Sequence, residues 1–253
     1  MNLERYYSEI NKRFGNITRA RGPFLYTQKN VRLTDLYQEG GRAILGWDSS
    51  AKTVFKNLLS KNLCGSFETA HRAQLQKAVS ELLQSKRKIF FFSKKSDVMK
   101  RAISLNPESV SFYRPFGGYD YASVQNVVVE PPLPWTNNFF VLASSRLDLE
   151  IPSEFFPPAL LAASARALYD LIAAQKQRQE KDFFIYDKIL TKFFTRRACW
   201  LCPKVPEEKY DDFVLACLDA GVVISPDYNV DSIVPFGAEV GVLKKMGEIN
   251  AEF

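Results

Sequence analysis

The chain has 253 residues, 46% hydrophobic and 13% aromatic, enough for one large domain or two ordinary ones with sizeable cores. No run of about 18 apolar residues occurs, which excludes a membrane-spanning helix, and the opening stretch MNLERYYSEINKRF is charged and amphipathic, unlike a secretory leader, so a cytoplasmic location is expected. The net charge of +6, from 34 basic and 28 acidic residues, tolerates acidic ligands without demanding nucleic acid.

Leu3, Tyr6, Tyr7, Ile10 and Phe14 repeat at helical spacing, so the chain is expected to open with an amphipathic helix ended by Gly15. GPFLYTQKNVRLTDLY reads as a hairpin, with strands at 24–26 and 31–36 and a turn at 28–30. A glycine loop follows, then helical segments at 50–62 and 66–85. KIFFF (88–92) is a short, fully apolar strand, Ser93–Ser96 a polar loop and Asp97–Leu105 a short helix. SVSFYRPF, QNVVVEPPLP and FFVLAS are three further strand candidates, the second stopped by its prolines. Strands separated by crossovers point to an α/β fold with a partly parallel sheet. A long alanine-rich helix is expected from Pro157, and DFFIYDKILTKFFT continues its periodicity. The remainder reads as strand (ACWLCPKV), helix closed by Gly221, strand (VVISP), strand (DSIVPF) and helix. That β-α-β-β-α order predicts a small sheet with helices on one face.

Paired glycines, Gly40 and Gly41, followed by Arg42, mark a loop where backbone approaches something closely; the plainer reading is a strand-to-helix turn. The basic run Lys86, Arg87, Lys88, Lys94, Lys95, Lys100 and Arg101 surrounds the phenylalanine strand; the plainer reading is solvated surface charge, and the lysines before a helix also suit a small anion. Nucleic acid would require exposed aromatics as well, and Phe90, Phe91 and Phe92 read as buried. Glu130 stands at the carboxyl end of a strand, where α/β sheets place their sites; the plainer reading is a strand-end cap. Arg196 and Arg197, expected to precede the last sheet, suit a carboxylate partner or a solvated helix end. The cysteines Cys64, Cys199, Cys202 and Cys217 do not form a disulfide framework, and C-W-L-C in a strand points its thiols to opposite faces. A single histidine, His71, rules out a multi-histidine metal site.

Several stretches together resemble the class III aminotransferases, pyridoxal-phosphate enzymes of fold type I. ARGPFLYTQKNVRLTDLYQEGGRAILGW is similar to their first hairpin and glycine loop, VVVEPPLP to a Glu-Pro strand of their large domain, FFFSKKSDVMKRAI to the strand-loop-helix that begins the cofactor site, and 161–253 to their small domain. The resemblance implies a reduced fold type I transferase, α/β with a mixed central sheet plus a small C-terminal α+β domain. It further implies an arm (1–60) packing with the C-terminal domain (151–253), a reduced sheet domain (61–150) that lacks a large part of the family's cofactor domain, and a homodimer. The family's phosphate loop is Ser-Gly-x-Glu-Ala; here Ser93-Lys94-Lys95-Ser96-Asp97 carries no glycine, and no Asp-Glu pair follows VVVEPPLP. Schiff-base chemistry needs a lysine amine and an acid on the pyridine nitrogen, and neither is assignable. The leading expectation is therefore a non-catalytic relative that binds a small ligand or a protein partner through Gly40, Gly41, Arg42, Ser93, Lys94, Lys95, Ser96 and Glu130, without cofactor or metal. The alternatives are an active pyridoxal-phosphate transferase using Lys94 or Lys95, and a basic binder of anions or nucleic acid.

Overall fold

Asn2 starts the first helix because its side chain accepts the otherwise unpaired N–H of Arg5 at 2.8 Å, and Gly15 stops it at φ +72°, a left-handed conformation that glycine adopts at little cost. That helix, α1 (Leu3–Phe14), lies where the apolar spacing puts it, with Tyr6 and Ile10 buried. It opens a computed structural model that describes residues 1–249. The chain divides into two units: Met1–Asp48 together with the segment from Arg178 onward, and Ser49–Gln177.

In the first unit α1 leads to an antiparallel run of β1 (Ile17–Arg21), β2 (Phe24–Thr27) and β3 (Arg32–Asp35). The β2–β3 hairpin matches the sequence reading. β1 has no counterpart in it, because ITRAR is an exposed edge strand with no apolar alternation to read.

In the second unit α2 (Ala51–Leu59) and α3 (His71–Leu82) precede β4 (Lys88–Phe92), α4 (Lys95–Leu105), β5 (Val110–Phe112), β6 (Asn126–Val129), β7 (Phe140–Ser144) and α5 (Pro158–Gln177). The strands form one mixed sheet in the order β4-β7-β6-β5; β5 is parallel to β6, and β7 is antiparallel to both β4 and β6. β4, β5 and β6 therefore run the same way and end at one edge: Phe92 faces Phe140, and Val129 faces Val141. Helix α4 covers one face, where Val98 and Ala102 meet Phe90, Phe92, Val128, Phe140 and Leu142. On the other, Arg72 of α3 lies 4.7 Å from the Phe91 ring centroid and donates to the Ile89 carbonyl at 3.2 Å. Cover on both sides is why KIFFF reads as a continuous apolar run and not as an alternation. Small residues let the helices approach: Ala163 and Ala167 of α5 pack with Ala51 of α2 and Leu133.

From Arg178 the chain forms α6 (Glu180–Phe184), α7 (Asp187–Leu190), the hairpin β8 (Phe194–Arg197) and β9 (Trp200–Pro203), α8 (Tyr210–Asp219), β10 (Val222–Val223), β11 (Ser232–Ile233) and α9 (Lys244–Gly247). The expected single small sheet is not formed. β10 joins β3 in parallel, while β11 pairs with β9 in the sheet β11-β9-β8. Val222 and Val223 are buried beside β3, where Thr34 N–H donates to Gly221 O at 2.9 Å and Leu36 N–H to Val223 O at 2.7 Å.

Other boundaries also move. The helical segment expected at 66–85 is shortened to α3, and the polar loop before α4 ends at Lys94, so Lys95 and Ser96 belong to the helix. The periodicity of DFFIYDKILTKFFT breaks into two short helices and the start of β8. Arg196 and Arg197 lie on β8, not before it. The unit divisions fall at 48/49 and 177/178, where the sequence reading put them at 60/61 and 150/151. The reason is that α2 and α5 pack on each other and so travel with the sheet of the second unit. No helix among the described residues is long and apolar enough to cross a membrane.

Candidate functional site

In the first unit β3 ends at Asp35 and the chain turns through Gln38, Glu39, Gly40 and Gly41, all at positive φ: 44°, 52°, 66° and 107°. The close approach the glycines permit is to an indole of their own unit. A Cβ on Gly41 would sit 3.1 Å from Trp200 Cη2 and 3.7 Å from Ile233 Cδ1. Arg42 turns back along the same loop, its Nη2 donating to Glu39 Oε2 at 2.9 Å. The loop thus closes over β9 and β11.

Asp35, which the sequence reading passed over, is the titratable centre of this region. Its carboxyl is 1% exposed, with Oδ1 accepting the Gln38 N–H at 2.9 Å and Oδ2 accepting the Trp47 indole N–H at 3.0 Å. Burial pushes its pKa up to about 6, against those two hydrogen bonds, which favour the charged form. The signal in the sequence was an acid ending a strand immediately before the paired glycines, in TDLYQEGG.

In the second unit Ser93, Lys94, Lys95, Ser96 and Glu130 lie at the carboxyl edge of the sheet. Glu130 follows β6 directly, two strands from β4, about 10 Å by ordinary strand spacing. Gly40, Gly41 and Arg42 belong to the other unit. The corner between β4 and α4 is already supplied with an anion from within the chain: the Ser93 N–H donates to Glu154 Oε1 at 2.9 Å. The segment carrying Glu154 is fastened to the strand by Phe91 N–H to Ser153 Oγ at 2.9 Å and Glu154 N–H to Phe91 O at 3.0 Å. Lys94 is extended and exposed, and Lys95 Nζ stands 4.5 Å from the Phe112 ring centroid. Ser96 Oγ donates to Asp97 Oδ1 at 3.1 Å.

The basic run of the sequence has several destinations. Arg87 is 1% exposed and donates to the carbonyls of Val124, Gln125, Tyr121 and Ala122 at 2.6, 2.9, 2.7 and 3.2 Å. Lys88 pairs with Glu150. Phe90, Phe91 and Phe92 are buried. Every other lysine of the chain is exposed, and Lys88 is half-buried. On β8, Arg196 is 8% exposed and pairs with Glu180 and with Asp187, its Nη2 reaching Asp187 Oδ2 at 2.8 Å. His71 opens α3, with Nδ1 2.8 Å from Gln74 Oε1. Cys199 and Cys217 are buried thiols, while Cys64 and Cys202 are exposed. No group of three or more potential metal ligands occurs among the described residues.

No family model matches the chain. It is 29% identical to an uncharacterized protein of Treponema pallidum (strain Nichols) over 92% of this chain and 93% of that protein, and 23% identical to an uncharacterized protein of Borreliella burgdorferi over 90% and 87%. Among solved structures it is similar to an acetylornithine aminotransferase from Elizabethkingia anophelis (TM-score 0.71, 11% identity, all of both chains covered). It is similar also to an ornithine aminotransferase from Plasmodium yoelii (TM-score 0.69, 12% identity, 99% of this chain and 98% of that one). A serine palmitoyltransferase from S. paucimobilis follows at TM-score 0.60 and 10% identity, with 97% of each chain covered. The fold is that of the fold type I pyridoxal-phosphate transferases. These alignments give the shortening expected from the sequence no support.

Proposed function

We propose that this chain is a non-catalytic protein on the aminotransferase fold, acting by binding a small ligand or a protein partner. The observation that carries the reading is the placement of its lysines. A Schiff-base lysine has to be held inside a cleft, partly stripped of water, so that its amine is neutral often enough to attack a carbonyl. Within its own chain no lysine is enclosed: every one is exposed except Lys88, whose ammonium is already engaged by Glu150. The corner after β4 points the same way. A cofactor phosphate held by the Ser93 amide would have to displace, or lie against, the Glu154 carboxylate. Both features argue against a pyridoxal-phosphate site in this chain.

The reading includes a homodimer, as the likeness to fold type I implies, and a cytoplasmic location. Pyridoxal phosphate added to the purified protein is expected to give no saturable visible band beyond that of free cofactor or of random surface amines. A stoichiometric band abolished by Lys94→Ala or Lys95→Ala would establish the active transferase instead. Light scattering of the eluted protein tests the dimer, which a monomer mass at micromolar concentration would exclude.

A further inference from the structure

The segment from Tyr113 to Gln125, between β5 and β6, is held at both ends by side chains from elsewhere in its unit. Its returning half hangs on the Arg87 guanidinium, which takes the carbonyls of Tyr121, Ala122, Val124 and Gln125. Its leading half hangs on Gln175 of α5, whose Oε1 accepts the Tyr113 hydroxyl at 3.0 Å and the Phe116 N–H at 3.2 Å. Between them the chain turns at Phe116 and Gly118, at φ +60° and +68°. The Tyr119 ring rests on Gly117, where a Cβ would lie 2.7 Å from Tyr119 Cδ2 and 3.1 Å from Arg114 O. Tyr119 is thereby laid on the loop backbone although 62% exposed. Its ring meets Tyr121 edge-on at 6.2 Å, and Tyr121 leans on Tyr113 at 4.9 Å.

The result is a hollow of about 410 Å³ bounded by Tyr113, Tyr119, Tyr121, Gln84, Gln175 and Arg114. A second, of about 310 Å³, shares Tyr119, Tyr121 and Gln84 with it. Burying a cation among carbonyls is a costly way to fix a surface loop. What it fixes is an aromatic platform beside two primary amides. With Gln175 Oε1 taken by two donors, its Nε2–H₂ group is the part of that amide turned to other partners, and Gln84 adds a donor and an acceptor. Tyrosine faces stack planar rings of any sequence, and amide side chains match the mixed donor and acceptor edge of a nitrogen heterocycle. Arg114 and Lys176 are balanced by Glu81 and by Asp120 of the second hollow, a rim without net charge that does not suit a polyanionic strand.

We propose that this hollow binds a mononucleotide-sized ligand, its base stacked on Tyr119 and its edge read by Gln84 and Gln175. The site stands apart from the β4–α4 corner and does not depend on whether that corner retains chemistry. Calorimetric titration of the full chain with the 5′-monophosphates of adenosine, guanosine, cytidine and uridine tests it. At least one is expected to saturate. Tyr119→Ala is expected to weaken it about tenfold or more, and Tyr119→Phe to leave it within about twofold, in keeping with the usual worth of base–tyrosine stacking. Because Tyr119 is exposed, both variants should keep the parent melting curve. Saturation by none of the four overturns the proposal, as does equal binding of ribose 5-phosphate, which carries no base. Unchanged affinity in Tyr119→Ala overturns it too. Binding to oligouridylate that tightens with chain length would replace it with a single-strand site.

Discussion

Replacing Arg87 by methionine keeps the apolar stem of the side chain and removes the guanidinium with every donor. Five oxygens then lose a donor: four backbone carbonyls and the Ser85 hydroxyl, which accepts from Nε at 2.8 Å; Tyr121 O keeps the Val124 N–H at 3.3 Å and Gln125 O the Ser145 N–H at 2.9 Å, so the Val124 and Ala122 carbonyls are the ones left unpaired. The Tyr121 carbonyl is bonded in the interior, and the other three nearer to solvent. A buried polar group left unpaired costs about 1–3 kcal/mol, the lower end where water can reach, and a hydrogen bond lost from a group that keeps another partner about 0.5–1.5 kcal/mol, so the gross loss is roughly 5 kcal/mol. Removing the cation returns part of its own dehydration, a term of several kcal/mol per buried ion. Against a domain stability of about 5–15 kcal/mol, the net loss should be about 3 kcal/mol. Urea unfolding reads it as a lowered midpoint at constant slope. Arg87→Lys should fall about halfway, because an ammonium has three donors and no fork. Amide exchange over residues 117–126 should quicken in both variants before the rest of the unit opens. A loss under about 1 kcal/mol for methionine, or lysine matching the parent, would show that the guanidinium merely occupies the loop instead of holding it.

Asp35 titrates near 3.8 unfolded and about 6 folded, so the folded state holds its proton longer. Its contribution to stability is therefore full below pH 4, falls by roughly 3 kcal/mol as pH rises to about 6, and is flat above. Asp35→Asn should remove that descent from the pH profile while lowering stability at pH 4, where the Trp47 indole loses its acceptor; parallel profiles for the two proteins would refute the assignment. At the glycine pair, Gly41→Ala should cost about 2 kcal/mol and shift tryptophan emission, since φ is +107° and the new methyl meets Trp200 at 3.1 Å. Gly40→Ala, at φ +66° with its nearest neighbour Val230 Cγ1 at 3.6 Å, should cost about 1 kcal/mol; equal losses would dismiss the indole contact as the reason for the glycine.

What the sequence made legible is what is local. α1 and β4 lie where the apolar pattern placed them, because a helix cap and a five-residue apolar run are decided by neighbours a few positions away. The β2–β3 hairpin is local in the same sense. Element ends and the edge strand β1 were missed locally, and the failures that changed the architecture are long-range. β10 pairs with β3 across about three quarters of the chain, so the tidy β-α-β-β-α order at the end concealed two sheets. α2 sits with α5, more than a hundred residues on, and that moved both unit boundaries.

The candidate site failed for the same reason, with more consequence. A run of basic residues carries one sign of charge but no address. Arg87 turns inward to carbonyls 34 to 38 residues away, Lys88 takes Glu150, Lys95 stands over Phe112 and Lys94 remains exposed. The anion on the Ser93 amide at the β4–α4 corner is Glu154, 61 residues from the group it caps. Charge counted along a chain therefore overstates what it presents to a ligand wherever some of those cations meet carbonyls or carboxylates brought in by the fold. The tyrosine-lined hollow illustrates the converse. In sequence, Gly117-Gly118-Tyr119 is an ordinary turn with an aromatic neighbour; it becomes a shaped surface only because Arg87 and Gln175, far from it along the chain, hold its two ends still.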